Sequence, residues 1–171
     1  MSSAGSASRT VLARKPALIV FDLDYTLWPF WVDTHVTPPF RKEKGHVLDA
    51  HGSKVKHYPD VPEILKQLTD DGCKIGIASR TSEIRGAESL LQLYDWNKYI
   101  SYKQIFPGCK VTHFVNIKKD SGIDYSEMIF FDDEQRNIKD IQRIGVTSIL
   151  VKSGVSKTTI EEGLREFANK S

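Results

Sequence analysis

Two aspartates, Asp22 and Asp24, stand just past the apolar run Ala17-Leu18-Ile19-Val20-Phe21. A run rich in Val, Ile and Phe reads as a strand buried on both faces. Residues two apart on a strand point to the same side, with backbones about 6 to 7 Å apart. The pair is therefore expected to project together from the carboxyl end of a strand, where α/β sheets bind ligands. Two like charges so placed repel, and one pKa rises unless a cation intervenes. One ionised carboxylate on a metal and one protonated acid would suit phosphoryl transfer.

Three more strand ends carry polar chemistry. Ser79-Arg80-Thr81 follows the run Lys74 to Ala78. The turn Pro107-Gly108-Cys109-Lys110 follows Gln104-Ile105-Phe106, and Asp132-Asp133 follows Met128-Ile129-Phe130-Phe131. Parallel strands would bring all four ends to one edge. The expected site then holds four acids, a hydroxyl and two cations. Oxygen ligands without a His or Cys partner point to Mg²⁺. Ser79 can donate to a phosphate oxygen. Lys110, at a helix start, adds charge where backbone N–H groups already favour anions.

The elements that must position these residues alternate strand and helix. Asp60 is the expected cap of a helix with Pro62 in its first turn and Glu63 reaching back. Ile64, Leu65 and Leu68 form its buried face, and Gly72 closes it. Ile84, Ala87, Leu90 and Leu91 mark a second helix face. A third helix runs from about Lys110, with Val111, Phe114 and Val115 inside and Gly122 past its end. Ile138, Ile141 and Ile144 mark a fourth, closed by Gly145. Ser148 to Val151 is a fifth strand. Thr158 and Glu161 form the expected capping box of a last helix carrying Ile160, Leu164 and Phe167. The fold class is α/β, Rossmann-like: a mostly parallel sheet with helices on both faces.

Composition excludes several other classes. The chain has 171 residues, enough for one domain with a full core. A formal charge of +2 is too mild to imply nucleic acid. No apolar run approaches the roughly 20 residues of a membrane span. Cys73 and Cys109 are the only cysteines, which fits a reducing compartment and a cytoplasmic protein. Residues 1–15 are expected to form a disordered tail and 16–171 a single domain. A thiolate phosphatase would need a Cys, five residues and an Arg, and six residues separate Cys73 from Arg80. His35, His46, His51 and His57 match no zinc spacing and are read as surface residues.

The ordered set resembles the haloacid dehalogenase (HAD) superfamily of phosphotransferases. Its four motifs match at Asp22-x-Asp24-x-Thr26, Ser79, Lys110 and Asp132-Asp133. Phe21 to Trp31, Ala78-Ser79-Arg80-Thr81 and Phe130 to Glu134 resemble the eukaryotic magnesium-dependent phosphatase subfamily. The resemblance, with the chemistry above, implies Asp22 as nucleophile and Asp24 as general acid and then base. It implies Mg²⁺ on the Asp22 and Asp132 carboxylates and the Asp24 backbone carbonyl, with Asp133 in or near the ligand set. Ser79 and Lys110 would hold phosphoryl oxygens, with Arg80 a further contact. Thr26 would fix the turn after the strand, and Asn137 would stand behind the metal ligands. The subfamily's implied substrates are protein phosphotyrosine and phosphosugars such as fructosamine-6-phosphates.

Taken singly, each residue has a plainer reading. Acid pairs past strands often cap helices, a lone serine is usually a turn residue, and a lone lysine is usually solvated. The order of the motifs overrides these readings. Trp28, Phe30 and Trp31 are read as packing rather than as a substrate platform. Residues 27–58 carry several Pro and Gly and no long helical period, so a flap or hairpin is expected and no large cap domain. That leaves the site open to a phosphate displayed on a protein, with the enzyme a monomer. A dehalogenase would have no leaving oxygen for Asp24 to protonate, and a phosphomutase would need a cap. A non-catalytic relative would be expected to have lost a motif residue.

Overall fold

The computed structural model describes residues 14–170. Five strands form one all-parallel sheet: β1 (Leu18–Phe21), β4 (Lys74–Ser79), β5 (Ile100–Ile105), β6 (Met128–Asp132) and β7 (Thr147–Leu150). Their spatial order is β5-β4-β1-β6-β7, with β1 at the centre. Two short strands, β2 (Arg41–Glu43) and β3 (His46–Leu48), pair as a separate antiparallel hairpin within 27–58. The helices are α1 (Val61–Asp70), α2 (Ile84–Leu93), α3 (Lys110–Ser121), α4 (Gln135–Arg143) and α5 (Lys157–Asn169). No helix among the described residues is long and apolar enough to cross a membrane.

The alternation of β1 explains the layers. Ile19 and Phe21 face a core shared with α1, α2 and α5, while Leu18 and Val20 face the core of α3 and α4. Both faces of the sheet are thus covered, which is why β1 and β6 read as unbroken apolar runs. Val61, Ile64, Leu65 and Leu68 are all buried under α1. Each such side chain contributes about 1.5–3 kcal/mol.

Several details differ from the sequence reading. Ile84 and Val115 are exposed; on α3 the buried residues are Lys110, His113, Phe114 and Ile117. Asp60 does not cap α1, because its carboxylate accepts the Lys157 backbone N–H at 3.0 Å. Glu63 does not reach back either; it pairs with the Lys157 ammonium at 2.5 Å. The capping box of α5 is Ser156 with Thr159, two residues earlier than Thr158 with Glu161. Gly122 does end α3, in the left-handed conformation at φ 71°. Residues 1–13 of the expected tail lie outside the described residues. Arg14 donates to the Ser126 carbonyl and Glu127 and lies over the Phe167 ring.

Nothing resembling a helical cap interrupts the described residues. Between β1 and α1 only the β2–β3 hairpin intervenes, and between β4 and α3 only α2 and β5.

Candidate active site

The carboxyl ends of β1, β4 and β6, with the start of α3, meet in a cavity of about 400 Å³. Asp22, Asp24, Ser79, Arg80, Lys110, Asp133 and Asn137 all line it. Asp22 follows directly on β1, and its N–H still bonds the Phe131 carbonyl at 3.0 Å. The nucleophile candidate is therefore held by the centre of the sheet. The chain then turns sharply: Tyr25 adopts φ 58°, a conformation unusual for a bulky residue. That turn brings Thr26 back, and its hydroxyl donates to Asp22 Oδ2 at 2.9 Å. Thr26 thus does more than fix the turn.

Lys110 is fully buried and closes the other side. Its ammonium donates to Asp22 Oδ1 at 2.8 Å and to Asp132 Oδ2 at 2.6 Å. Burial alone would depress its pKa, but Asp22 and Asp132 hold it above the ordinary value. Asp132 also accepts the Asn137 amide at 3.0 Å and the Glu134 backbone N–H at 2.8 Å. Burial, with the charge of Asp22, raises the Asp132 carboxyl against the pull of Lys110. Burial and the hydrogen bond to Asp22 push Asp133 up to about 9.

Asp22, Asp132 and Asp133 bring one carboxylate oxygen each within 4.8 Å of one another. Three carboxylates against one lysine leave two negative charges, the charge of one divalent cation. A proton on Asp133, whose carboxyl is pushed up to about 9, would remove one of those two charges. The donor set is all oxygen, which suits Mg²⁺. The Asp24 side chain is not in this cluster.

Asp24 has a different environment. The Trp28 indole donates to its Oδ1 at 2.8 Å, and the Val32 N–H to the same atom at 3.2 Å. Oδ2 is left to carry a proton. Burial pushes this carboxyl up to about 6, against the Trp28 bond and with help from Asp22. A carboxyl with such a pKa can give and take a proton near neutrality.

Ser79 is buried, and its Oγ accepts the Thr81 N–H at 3.2 Å. Its own proton remains to be given to a ligand. Arg80 reaches Asn137 Oδ1 at 3.3 Å. Asn137 therefore bridges Arg80 and Asp132, and the sequence offered only its position as a hint. Trp28 and Phe30 are packed inside, stacked at 5.4 Å between centroids. Trp31 is not: it is 50% exposed and lines the cavity with Asp33 and Thr34. The packing reading fails for Trp31 because half of it stays exposed, its ring stacked on His35 and meeting Tyr25 edge-on. Both cysteines are free, Cys73 buried and Cys109 exposed.

The architecture recurs in solved structures. The N-terminal part of a Bacteroides fragilis protein containing a phosphatase domain, complexed with Mg, matches with a TM-score of 0.63. Identity is 17%, over 96% of this chain and 44% of that one, so the likeness speaks for the fold alone. Sequence narrows the class. A HAD-like hydrolase superfamily protein of Schizosaccharomyces pombe is 42% identical over 77% of this chain and 83% of its own length. The model of the acid phosphatase family matches residues 14–170, and the chain belongs to that family. Human Magnesium-dependent phosphatase 1 is 53% identical over 158 residues, 92% of this chain and 90% of the human protein.

Proposed function

We propose that the protein is a Mg²⁺-dependent phosphomonoesterase working through an aspartyl-phosphate. The observation that carries this reading is the contrast between two neighbouring acids. Asp22 is gripped by Thr26 and Lys110 beside Asp132 and Asp133, while Asp24, pushed up to about 6, stands free at Oδ2. Such a split of environments supports Asp22 as the nucleophile and Asp24 as the proton donor.

Asp22 attacks the phosphorus, and the bond to the leaving oxygen breaks. Asp24 gives that oxygen its proton. The resulting carboxylate of Asp24 then takes a proton from water, which attacks the same phosphorus and releases phosphate and Asp22. Ser79 and Lys110 hold phosphoryl oxygens, and Arg80, anchored on Asn137, offers a further cation. Mg²⁺, held by the carboxylates of Asp22, Asp132 and Asp133 and the Asp24 carbonyl, would neutralise charge on the phosphoryl group. The named Mg²⁺ requirement of the human relative supports this assignment.

Residues 16–171 act in this reading as one domain, with 27–58 as flap. An open cavity walled by exposed Trp31 favours an aryl or sugar phosphate. Protein phosphotyrosine and fructosamine-6-phosphates are the substrates we favour, met by a cytoplasmic monomer. The test is hydrolysis of p-nitrophenyl phosphate with Mg²⁺ and with EDTA, followed by a panel of phosphotyrosine peptides, phosphoserine peptides and sugar phosphates. Turnover that needs Mg²⁺ is expected. Equal turnover in EDTA, or none in either, would refute the reading.

A further inference from the structure

His113 lies one turn into α3, beyond Lys110, and is fully buried. Its Nε2 is 2.9 Å from the Ser79 carbonyl oxygen and 2.8 Å from that of Phe106. Its Nδ1 is 3.1 Å from the Cys109 carbonyl oxygen. All three partners are acceptors, so the ring serves them only by donating. The Cys109 oxygen already accepts the Thr112 N–H at 3.1 Å. The Nε2–H tautomer serves two of the three acceptors, one proton being shared by Ser79 and Phe106, whereas Nδ1–H would serve one. Burial keeps the imidazole below its ordinary pKa, in keeping with a neutral donor. The ring also lies flat on Phe106, centroids 4.0 Å apart and planes 6° apart. The Phe106 N–H in turn donates to the Ser79 carbonyl at 3.0 Å.

One ring thus joins three places: the end of β4, the 106–109 turn and the first turn of α3. The first carries Ser79 and the last carries Lys110, the two groups assigned to the phosphoryl oxygens. Strand pairing carries the end of β4 only as far as Ile105 and Phe106, and no backbone bond runs directly from Ser79 to Lys110. We propose that His113 is a positioning residue for the phosphoryl pocket, setting Ser79 and Lys110 in register through its Nε2–H. This rests on the phosphomonoesterase reading above.

The test compares His113→Phe, His113→Gln and His113→Asn in the full chain. Inorganic phosphate binding is measured by calorimetry, kcat and KM with p-nitrophenyl phosphate, and melting temperature alongside. Gln can return an N–H near the place of Nε2, whereas Asn reaches only the side of Nδ1. His113→Phe and His113→Asn should weaken phosphate binding and kcat/KM by about tenfold or more, the scale seen when support for a site group is lost. His113→Gln should recover to within about threefold of native. A purely structural residue would lower the melting temperature in all three and leave phosphate affinity unmoved. That result, or equal behaviour of Gln and Asn, would overturn the proposal. If His113→Phe does not fold, the Gln and Asn pair decides alone. A native protein that binds phosphate but lacks phosphatase activity would refute the function instead, leaving the binding comparison to judge His113.

Discussion

The floor and the rim of the cavity are built in opposite ways. On the floor, Asp22, Lys110 and Asp132 come from distant parts of the chain and are almost wholly buried. Each is held by two or more bonds, and each hangs from a strand end or helix start. On the rim, Trp31 and Thr34 are tied mainly to near neighbours: the Trp31 N–H to His35 Nδ1, and the Thr34 N–H to the Trp31 carbonyl. The floor belongs to the core; the rim belongs to a flap. Changes on the floor should therefore disturb chemistry and stability together. Changes on the rim should shift substrate preference and leave the fold alone.

Asp24 links the two regions, standing two residues past Asp22 of the floor and held by Trp28 and Val32 of the flap. Asp24→Asn should slow turnover by about 10²- to 10⁴-fold, the range for a positioned proton donor. Alkyl phosphates should suffer more than p-nitrophenyl phosphate, whose leaving group needs no proton. Equal losses on both would remove Asp24 from the acid role.

Lys110→Met should show the coupling of the floor most clearly. It leaves three crowded carboxylates without their cation, and breaking such a buried pair costs about 3–5 kcal/mol. Urea unfolding in EDTA should report this loss, and added Mg²⁺ should recover part of it. A variant as stable as the native protein would mean that the floor is not held by charge.

The pH profile sharpens the same contrast. In the proposed role Asp24 acts as acid only while protonated, and that form is lost as pH rises through about 6. A bound cation would draw the value down further. With an alkyl phosphate, kcat should therefore fall about tenfold per unit above a limb at or below about pH 6. Asp24→Asn should abolish the limb. A limb that persists in the variant belongs to another group.

Trp31→Ala should have the smallest effect. Loss of a ring contact of about 0.5–1.5 kcal/mol would raise KM for aryl phosphates roughly 2- to 12-fold. Stability should move by no more than about 0.5 kcal/mol, as for other exposed positions. A large fall in melting temperature would make Trp31 part of the core and erase the distinction between rim and floor.

Much of the floor was legible in the sequence because its residues punctuate apolar runs. Phe21 to Asp22 and Phe131 to Asp132 are abrupt changes that buried parallel strands make visible. Helix faces were less legible. Val115 and Ile84 are apolar yet exposed, and period alone does not say which edge of an apolar stripe meets the sheet. Caps failed where a distant partner competed, as Lys157 does for Asp60 and Glu63. Thr26 on Asp22 and Asn137 between Arg80 and Asp132 were read only as turn and supporting groups, since side-chain aim depends on turns such as Tyr25. His113 gave no signal at all: a lone histidine on a helix looks like any other until three carbonyls are found around it. Trp31 was misread because its neighbours Trp28 and Phe30 are truly core.

The central claim is a covalent phosphoryl group on Asp22. The most direct measurement is acid quenching during turnover with labelled p-nitrophenyl phosphate and Mg²⁺, followed by peptide mapping. The account predicts an acid-stable, hydroxylamine-sensitive label on the peptide carrying Asp22, absent in Asp22→Asn and in EDTA. Rapid product release with no label on Asp22 at any quench time, or label on another residue, would contradict it.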